Sequence, residues 1–403
     1  MSVLTHDPYA GHPADPVRTS GTALVEQARR LVPLLRSRAA AADEQGRLTD
    51  DVTTALHDAG FFSLHTPRAL GGPGAGLATA VGVHRELARG HGSAGWVTMI
   101  LSTSGLFTTQ LADRTQREVW AQDPAAGVAA NLVPSGTARR VAGGLVVSGR
   151  WRPLSGVHHV GWVVVTVPVL DAGGATVDVV LALLPATDVT VERTWSVAGM
   201  QGTGSDTVAV EDAFVPDHRV VSLPEVTSGT GPDGSPRPPL MSVAVLTAAA
   251  TVVGMTEGAL EHTTALLSRG RSVGSSVYRN AVDSPSVQAA MAQAASLVDT
   301  MRLHLQRGVD DVERATSERT PLGEPVAARV RMDAARISGA ARETMDLLLD
   351  VGGAGSFALD NPVQRLWRDV SVVTRHPLVT PALNREVYSR ALLGIPTQVV
   401  PLV

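Results

Sequence analysis

Two histidine-bearing stretches and a pair of arginines hold most of the side chains in this 403-residue sequence that can do chemistry. The first stretch runs from Ser148 to Trp162, Ser-Gly-Arg-Trp-Arg-Pro-Leu-Ser-Gly-Val-His-His-Val-Gly-Trp, and puts Ser155 just before His158 and His159. The second runs from Gly352-Gly353-Ala354-Gly355 through Arg368-Asp369 to His376-Pro377. An imidazole titrates near working pH, so it can donate a hydrogen bond or relay a proton. Arg269 and Arg271 carry the planar fork that suits a phosphate. Each group also has a plain structural reading: His376 as a helix-terminal histidine, Ser155-Gly156 as a turn, Trp151 as core, Gly352 and Gly353 as a helix cap. Glu261-His262 falls inside a helical pattern and reads as surface or packing.

Composition removes whole classes of chemistry. The chain has no cysteine and no lysine, which excludes disulfides, thiolate nucleophiles, thiolate zinc sites, Schiff-base lysines and a P-loop lysine. The net charge of -4 arises from 34 basic and 38 acidic residues spread along the chain, so no nucleic-acid partner is expected. No Gly-x-Gly-x-x-Gly and no Gly-x-Ser-x-Gly follows a strand pattern, and no His-Glu-x-x-His occurs. We read no apolar run of membrane-spanning length and no charged-then-apolar leader, which predicts a cytoplasmic protein without membrane contact.

The elements that must position these residues follow an α+β plan. A polar leader over 1–20 precedes a helical domain over 21–125, where Leu24, Ala28, Leu31 and Leu35 repeat at helical spacing. A small sheet or barrel over 126–222, expected to be antiparallel, is marked by Val128 to Leu132, Gly144 to Ser148, Gly161 to Val167, Val177 to Leu184 and Thr207 to Val210. A Gly/Pro-rich loop over 223–239 leads to a four-helix bundle over 240–403. Helices are predicted near 241–268, 284–316, 324–350, 361–375 and 380–393, with Leu297, Met301, Leu305 and Val309 as one apolar stripe.

The order of these blocks, with Ala59-Gly60-Phe61, Pro67 to Gly72, Gly199 to Ser205, Glu211 to Pro216 and the Arg368-Asp369 helix, resembles the acyl-CoA dehydrogenase superfamily. The Ser148 to Trp162 stretch is similar to that of two-component flavin-dependent monooxygenases, whose oxygenase subunit receives reduced flavin from a separate reductase. The resemblance implies a N-terminal helical domain, a central β domain and a C-terminal four-helix bundle. It implies reduced FMN or FAD supplied by a flavin reductase, with O2 as co-substrate. A C4a-hydroperoxide would then hydroxylate or N-oxidise a small natural-product-type substrate in a homotetramer. Where dehydrogenases carry a glutamate base, this chain has Pro377, or Ala244 and Val245 on the first bundle helix, and none can take a proton.

The family register assigns His376 to the reactive flavin carbon and Ser155 to a hydroxyl directed toward N5. It assigns Asn131, Pro134, Ser135 and Trp151 to the flavin ring, Arg269 or, preferred, Arg271 to its phosphate, and Gly352 and Gly353 to a turn approaching the cofactor. His159 and Ser104 are assigned to the substrate, with Ser104 standing where relatives carry a histidine. An FAD-dependent acyl-CoA dehydrogenase and a flavin-free descendant of the scaffold are the alternatives.

Overall fold

The structure is a computed structural model that describes residues 16–227, 239–270, 272–274, 276–397 and 399. Arg271 and most of the Gly/Pro-rich loop lie outside the described residues. Five helices come first: α1 (Pro16–Gln45), α2 (Asp50–Asp58), α3 (Leu77–Gly90), α4 (Gly92–Thr108) and α5 (Asp113–Trp120). α1 begins inside the stretch read as leader. Eight strands follow: β1 (Val128–Asn131), β2 (Thr137–Val141), β3 (Gly144–Leu154), β4 (Trp162–Leu170), β5 (Thr176–Pro185), β6 (Thr190–Glu192), β7 (Asp206–Pro216) and β8 (Val220–Ser222). The short α6 (Leu223–Thr227) precedes the C-terminal helices α7 (Leu240–Leu267), α8 (Pro285–Glu318), α9 (Glu324–Gly352), α10 (Pro362–Val373) and α11 (Pro381–Leu392).

Local chemistry explains the helix ends. α8, α9, α10 and α11 each carry proline in the first turn, where a missing N–H costs nothing and the fixed φ suits the helix. Asn361 caps α10 by accepting from the Val363 N–H. α9 stops at Gly353, whose φ of 63° and ψ of -164° belong to a region that only glycine enters freely.

The sheet runs β6-β7-β3-β2-β4-β5-β8, and it is mixed rather than antiparallel as expected. β1 and β2 both run parallel to β4, pairing Val128 to Asn131 with Trp162 to Val165, and Ala138 and Arg139 with Val169 and Leu170. They are two pieces of one interrupted strand along the same edge of β4. Residues 132–136, which include Pro134 and Gly136, interrupt the strand between them, since proline cannot donate to the ladder, and touch β4 again through the Ser135 N–H to the Thr166 carbonyl.

Two cores meet at α4. Trp96 and Met99 join α7, α8, α9 and α10 in one core, while Ala94, Val97 and Leu101 pack against the sheet and α1 to α3 in the other. This two-sided burial explains a helix that is apolar nearly all round. α7 is long and apolar enough to cross a membrane by length and composition, contrary to the sequence reading, but its most apolar stretch is wholly buried inside the protein. That is the position of a core helix.

Candidate active site

The β3 end, the loop over 199–205, the start of α4 and the turn after α10 converge on one group of side chains. Ser155 follows β3, and its Oγ accepts from Trp96 Nε1 at 3.3 Å. It lies 2.7 Å from Ser205 Oγ, which lies 2.7 Å from Thr203 Oγ1. Thr203 Oγ1 donates to the Met200 carbonyl at 2.7 Å, and that carbonyl also accepts from Trp195 Nε1 at 2.9 Å. The other flank of Trp96 meets the His376 ring edge-on, with centroids 5.0 Å apart. The structure thus brings Ser155 and His376, 221 residues apart by subtraction of their numbers, onto the same indole.

His376 is half-buried at the C-terminal turn after α10, and burial pushes its pKa down to about 4. The ring is therefore neutral at pH 7. Its Nδ1 accepts from the Leu378 N–H at 3.3 Å, which assigns the ring proton to Nε2. The result is an uncharged donor beside Trp96.

Asp369 holds the 199–205 loop from behind. Its Oδ1 accepts from the Met200 N–H at 2.5 Å, and its buried Oδ2 has no hydrogen-bond partner among the described residues. Burial, and next the charge of Asp43, raise its pKa to about 7, against the opposing pull of the Met200 N–H and Arg368. Met200 has a left-handed backbone, φ 59°, a conformation costing a non-glycine residue roughly 1–2 kcal/mol. The carboxylate bond secures that conformation.

The remaining assigned residues scatter. Asn131 is buried at the end of β1; it donates to the Pro153 carbonyl at 3.0 Å and accepts from the Val133 N–H at 2.9 Å, so it shapes the excursion over 132–136. Pro134 is exposed there, and the Ser135 N–H donates to Thr166 O at 3.1 Å while its hydroxyl donates to Arg150 O at 2.8 Å. Trp151 is 1% exposed within the sheet-domain core and donates to Thr166 O at 2.8 Å. His159 Nδ1 lies 3.3 Å from Thr53 Oγ1 on α2, and burial lowers its pKa to about 4. Its neighbour His158 pairs with Asp206 at 2.7 Å. Ser104 is buried on α4, one residue from Thr103, whose hydroxyl meets that of Thr247 on α7 at 3.3 Å. Arg269 is exposed just beyond α7. Gly352 is buried at the end of α9, followed by the left-handed Gly353.

Sequence reasoning passed over Trp96, Thr203, Ser205 and Asp369 as site residues. Thr203, Ser205 and Asp369 sat in quoted motifs, Gly199 to Ser205 and Arg368-Asp369, but their connection to one another and to Trp96 exists only in three dimensions.

Comparison with known proteins agrees with this arrangement. Residues 21–127 match the acyl-CoA dehydrogenase N-terminal domain and residues 246–381 the acyl-CoA dehydrogenase C-terminal domain. The chain is 32% identical over 377 residues to the flavin-dependent monooxygenase oxygenase subunit HsaA of Rhodococcus jostii, covering 91% of this chain and 97% of that one. It is 31% identical to the oxygenase component of a FADH2-dependent resorcinol hydroxylase from Rhizobium sp., covering 93% and 94%. Among solved structures, XiaF from Streptomyces sp. in complex with FADH2 and glycerol superposes with a TM-score of 0.92 at 27% identity, covering 96% of this chain and 99% of that one. The chain belongs to the acyl-CoA dehydrogenase superfamily and, within it, to the oxygenase components of two-component flavin-dependent monooxygenases, which use reduced flavin from a partner reductase on a small molecule.

Proposed function

We propose that the Trp96, Ser155 and His376 group is the place where reduced flavin and oxygen meet an organic substrate that leaves hydroxylated or N-oxidised. The observation that carries this reading is a neutral imidazole donor and a hydroxyl held on one buried indole, with no carboxylate base among the counterpart residues: Ala244 and Val245 are buried apolar residues and Pro377 is a proline. The residues fit a flavin, because Ser155 Oγ retains hydrogen-bonding capacity and the His376 Nε2–H is uncommitted by the Nδ1 contact. Bound reduced flavin supplies the two electrons with which one oxygen atom enters the substrate and the other leaves as water.

His376 holds its proton at Nε2 and donates it as a hydrogen bond without bringing a positive charge into the site. Trp96 keeps both Ser155 and His376 in place. The apolar walls of α4 and α7 exclude water, which strengthens each polar contact inside. Arg269 or Arg271 would take the flavin phosphate, and the Gly352-Gly353 turn would let backbone approach the cofactor. Relatives include the oxygenase components of a resorcinol hydroxylase and a p-hydroxyphenylacetate 3-hydroxylase. With Ser104 in place of a histidine and 3% aromatic residues, the substrate we favour is a nonplanar natural-product-type molecule. We place the protein in the cytoplasm as a homotetramer; Phe357, Leu359, Leu392 and Leu393 expose apolar surface that such an assembly would cover.

The test is to bind reduced FMN or reduced FAD anaerobically, add oxygen in a stopped-flow spectrometer, and follow flavin absorbance. A delayed appearance of the oxidised spectrum is expected, and reoxidation at the rate of free flavin would overturn the reading. His376→Ala should raise hydrogen peroxide released per reduced flavin; unchanged coupling would remove His376 from the mechanism.

A further inference from the structure

The hydroxyl chain behind Ser155 has only one consistent polarity. Each serine or threonine hydroxyl carries a single proton. Thr203 Oγ1 lies 2.7 Å from the Met200 carbonyl, which can only accept, so the Thr203 proton must point there. The 2.7 Å contact between Thr203 and Ser205 then needs the Ser205 proton, and the 2.7 Å contact between Ser205 and Ser155 needs the Ser155 proton. Trp96 Nε1 fills one acceptor position on Ser155. What remains on Ser155 Oγ is a lone pair and no proton. The chain ends on a carbonyl that cannot swing away, because Asp369 holds the N–H of the same residue and Trp195 donates to its oxygen.

We infer that Thr203 and Ser205 are positioning residues that make Ser155 an obligate hydrogen-bond acceptor, so that the site selects the redox state of its flavin. This rests on the flavin placement proposed above and specifies the Ser155 hydroxyl directed toward N5 as an acceptor. Reduced flavin presents an N–H at N5 and complements the lone pair; oxidised flavin presents a lone pair at N5 and faces another. To donate to oxidised flavin, Ser155 would have to turn its proton away from Ser205. Reversing the chain to compensate would leave the Thr203 oxygen against the Met200 carbonyl oxygen with no proton between them. One contact is always lost, and the loss of one such bond corresponds to about a tenfold change in affinity. Released product flavin is the oxidised form, so the same polarity favours its departure.

The experiment is an anaerobic titration of the whole protein with dithionite-reduced and with oxidised FMN and FAD, read as dissociation constants by flavin absorbance and fluorescence. Wild type is expected to bind the reduced form more tightly. Thr203→Val and Ser205→Ala, which free the Ser155 proton to rotate, should each shrink the reduced-over-oxidised affinity ratio about tenfold, and Thr203→Ser should keep the wild-type ratio. If Ser205→Ala does not fold, the Val and Ser variants at 203 decide. A wild-type preference left unchanged by these variants, or no preference in wild type, would overturn the inference while leaving the flavin reading intact. Failure of wild type to bind either form would overturn both.

Discussion

The bundle around α7 and the layer around α4 bury polar groups in opposite ways. On α7, Thr247, Thr251, Thr256 and Thr263 each donate to a carbonyl three or four residues earlier, and the buried Glu257 accepts from Arg302 at 2.7 Å. Around α4, both ring nitrogens of His91, the hydroxyls of Ser93 and Thr98, Nδ1 of His84 and Oδ2 of Asp369 are buried with no hydrogen-bond partner among the described residues. An unmet buried group costs about 1–3 kcal/mol. α7 thus spends its polar groups within the bundle and supplies stability, while the α4 layer keeps capacity unmet where the candidate chemistry lies.

The contrast breaks most sharply through paired replacements. His376→Ala should lower product formation on the order of 10²-fold, the scale for losing one placed donor, with little change in Tm. Gly254→Ala should do the reverse. A methyl group there would meet the Arg85 carbonyl of α3, so a loss of about 1–3 kcal/mol in thermal or denaturant unfolding is expected, with coupling of flavin to product unchanged. Inactivity of the Gly254 variant at a temperature where it is folded would blur the division.

Acid should act chiefly through buried imidazoles around α4 and the turns beside it, with His262 on α7, also held down to about 4 by burial, as the bundle's share. His65 and His376 are held down to about 4, and His84 and His91 to about 3, all mainly by burial. Because these folded values lie below the ordinary 6.5, the unfolded chain takes up protons first. Their contribution is complete above pH 6.5 and is lost as pH falls toward 4. Asp369, raised to about 7, runs the other way: its folded form keeps a proton that the unfolded chain releases, so alone it favours the fold as pH falls from 7 toward 4. Tm should therefore drop from pH 7 to pH 5, and Asp369→Asn should steepen the drop. A shallower profile in that variant would refute the assigned ionisation. The smallest effect is expected for Thr251→Val on α7, below about 1 kcal/mol, since its hydroxyl bonds only its own helix.

Much of the fold was legible because its pattern is local. The stripe Leu297, Met301, Leu305 and Val309 is buried as predicted, and α7 to α11 begin and end within about two residues of the apolar periodicity. β2, Thr137-Ala-Arg-Arg-Val141, escaped because its exposed arginines carry no strand signal, and β6 and β8 because each spans three residues. The parallel pairing of β1 and β2 with β4 is a nonlocal fact that no alternation encodes. At the site, Ser155 and His376 were visible through family register. Trp151 reads equally as core or cofactor contact from its sequence and is buried in the sheet domain, and the Thr203 to Ser155 chain depends on hydroxyls about 50 residues apart meeting at 2.7 Å.

Gly254 and Gly258 bring α7 against the backbone of α3 at Arg85 and Arg89, joining the two ends of the sequence through the middle of the molecule. During synthesis α3 leaves the ribosome long before α7, with the whole sheet domain made in between. When α7 emerges, its apolar surface needs α3 at once. A separately expressed C-terminal half would present that surface to solvent and aggregate, so the helical regions on either side of the sheet make one cooperative unit rather than exchangeable modules.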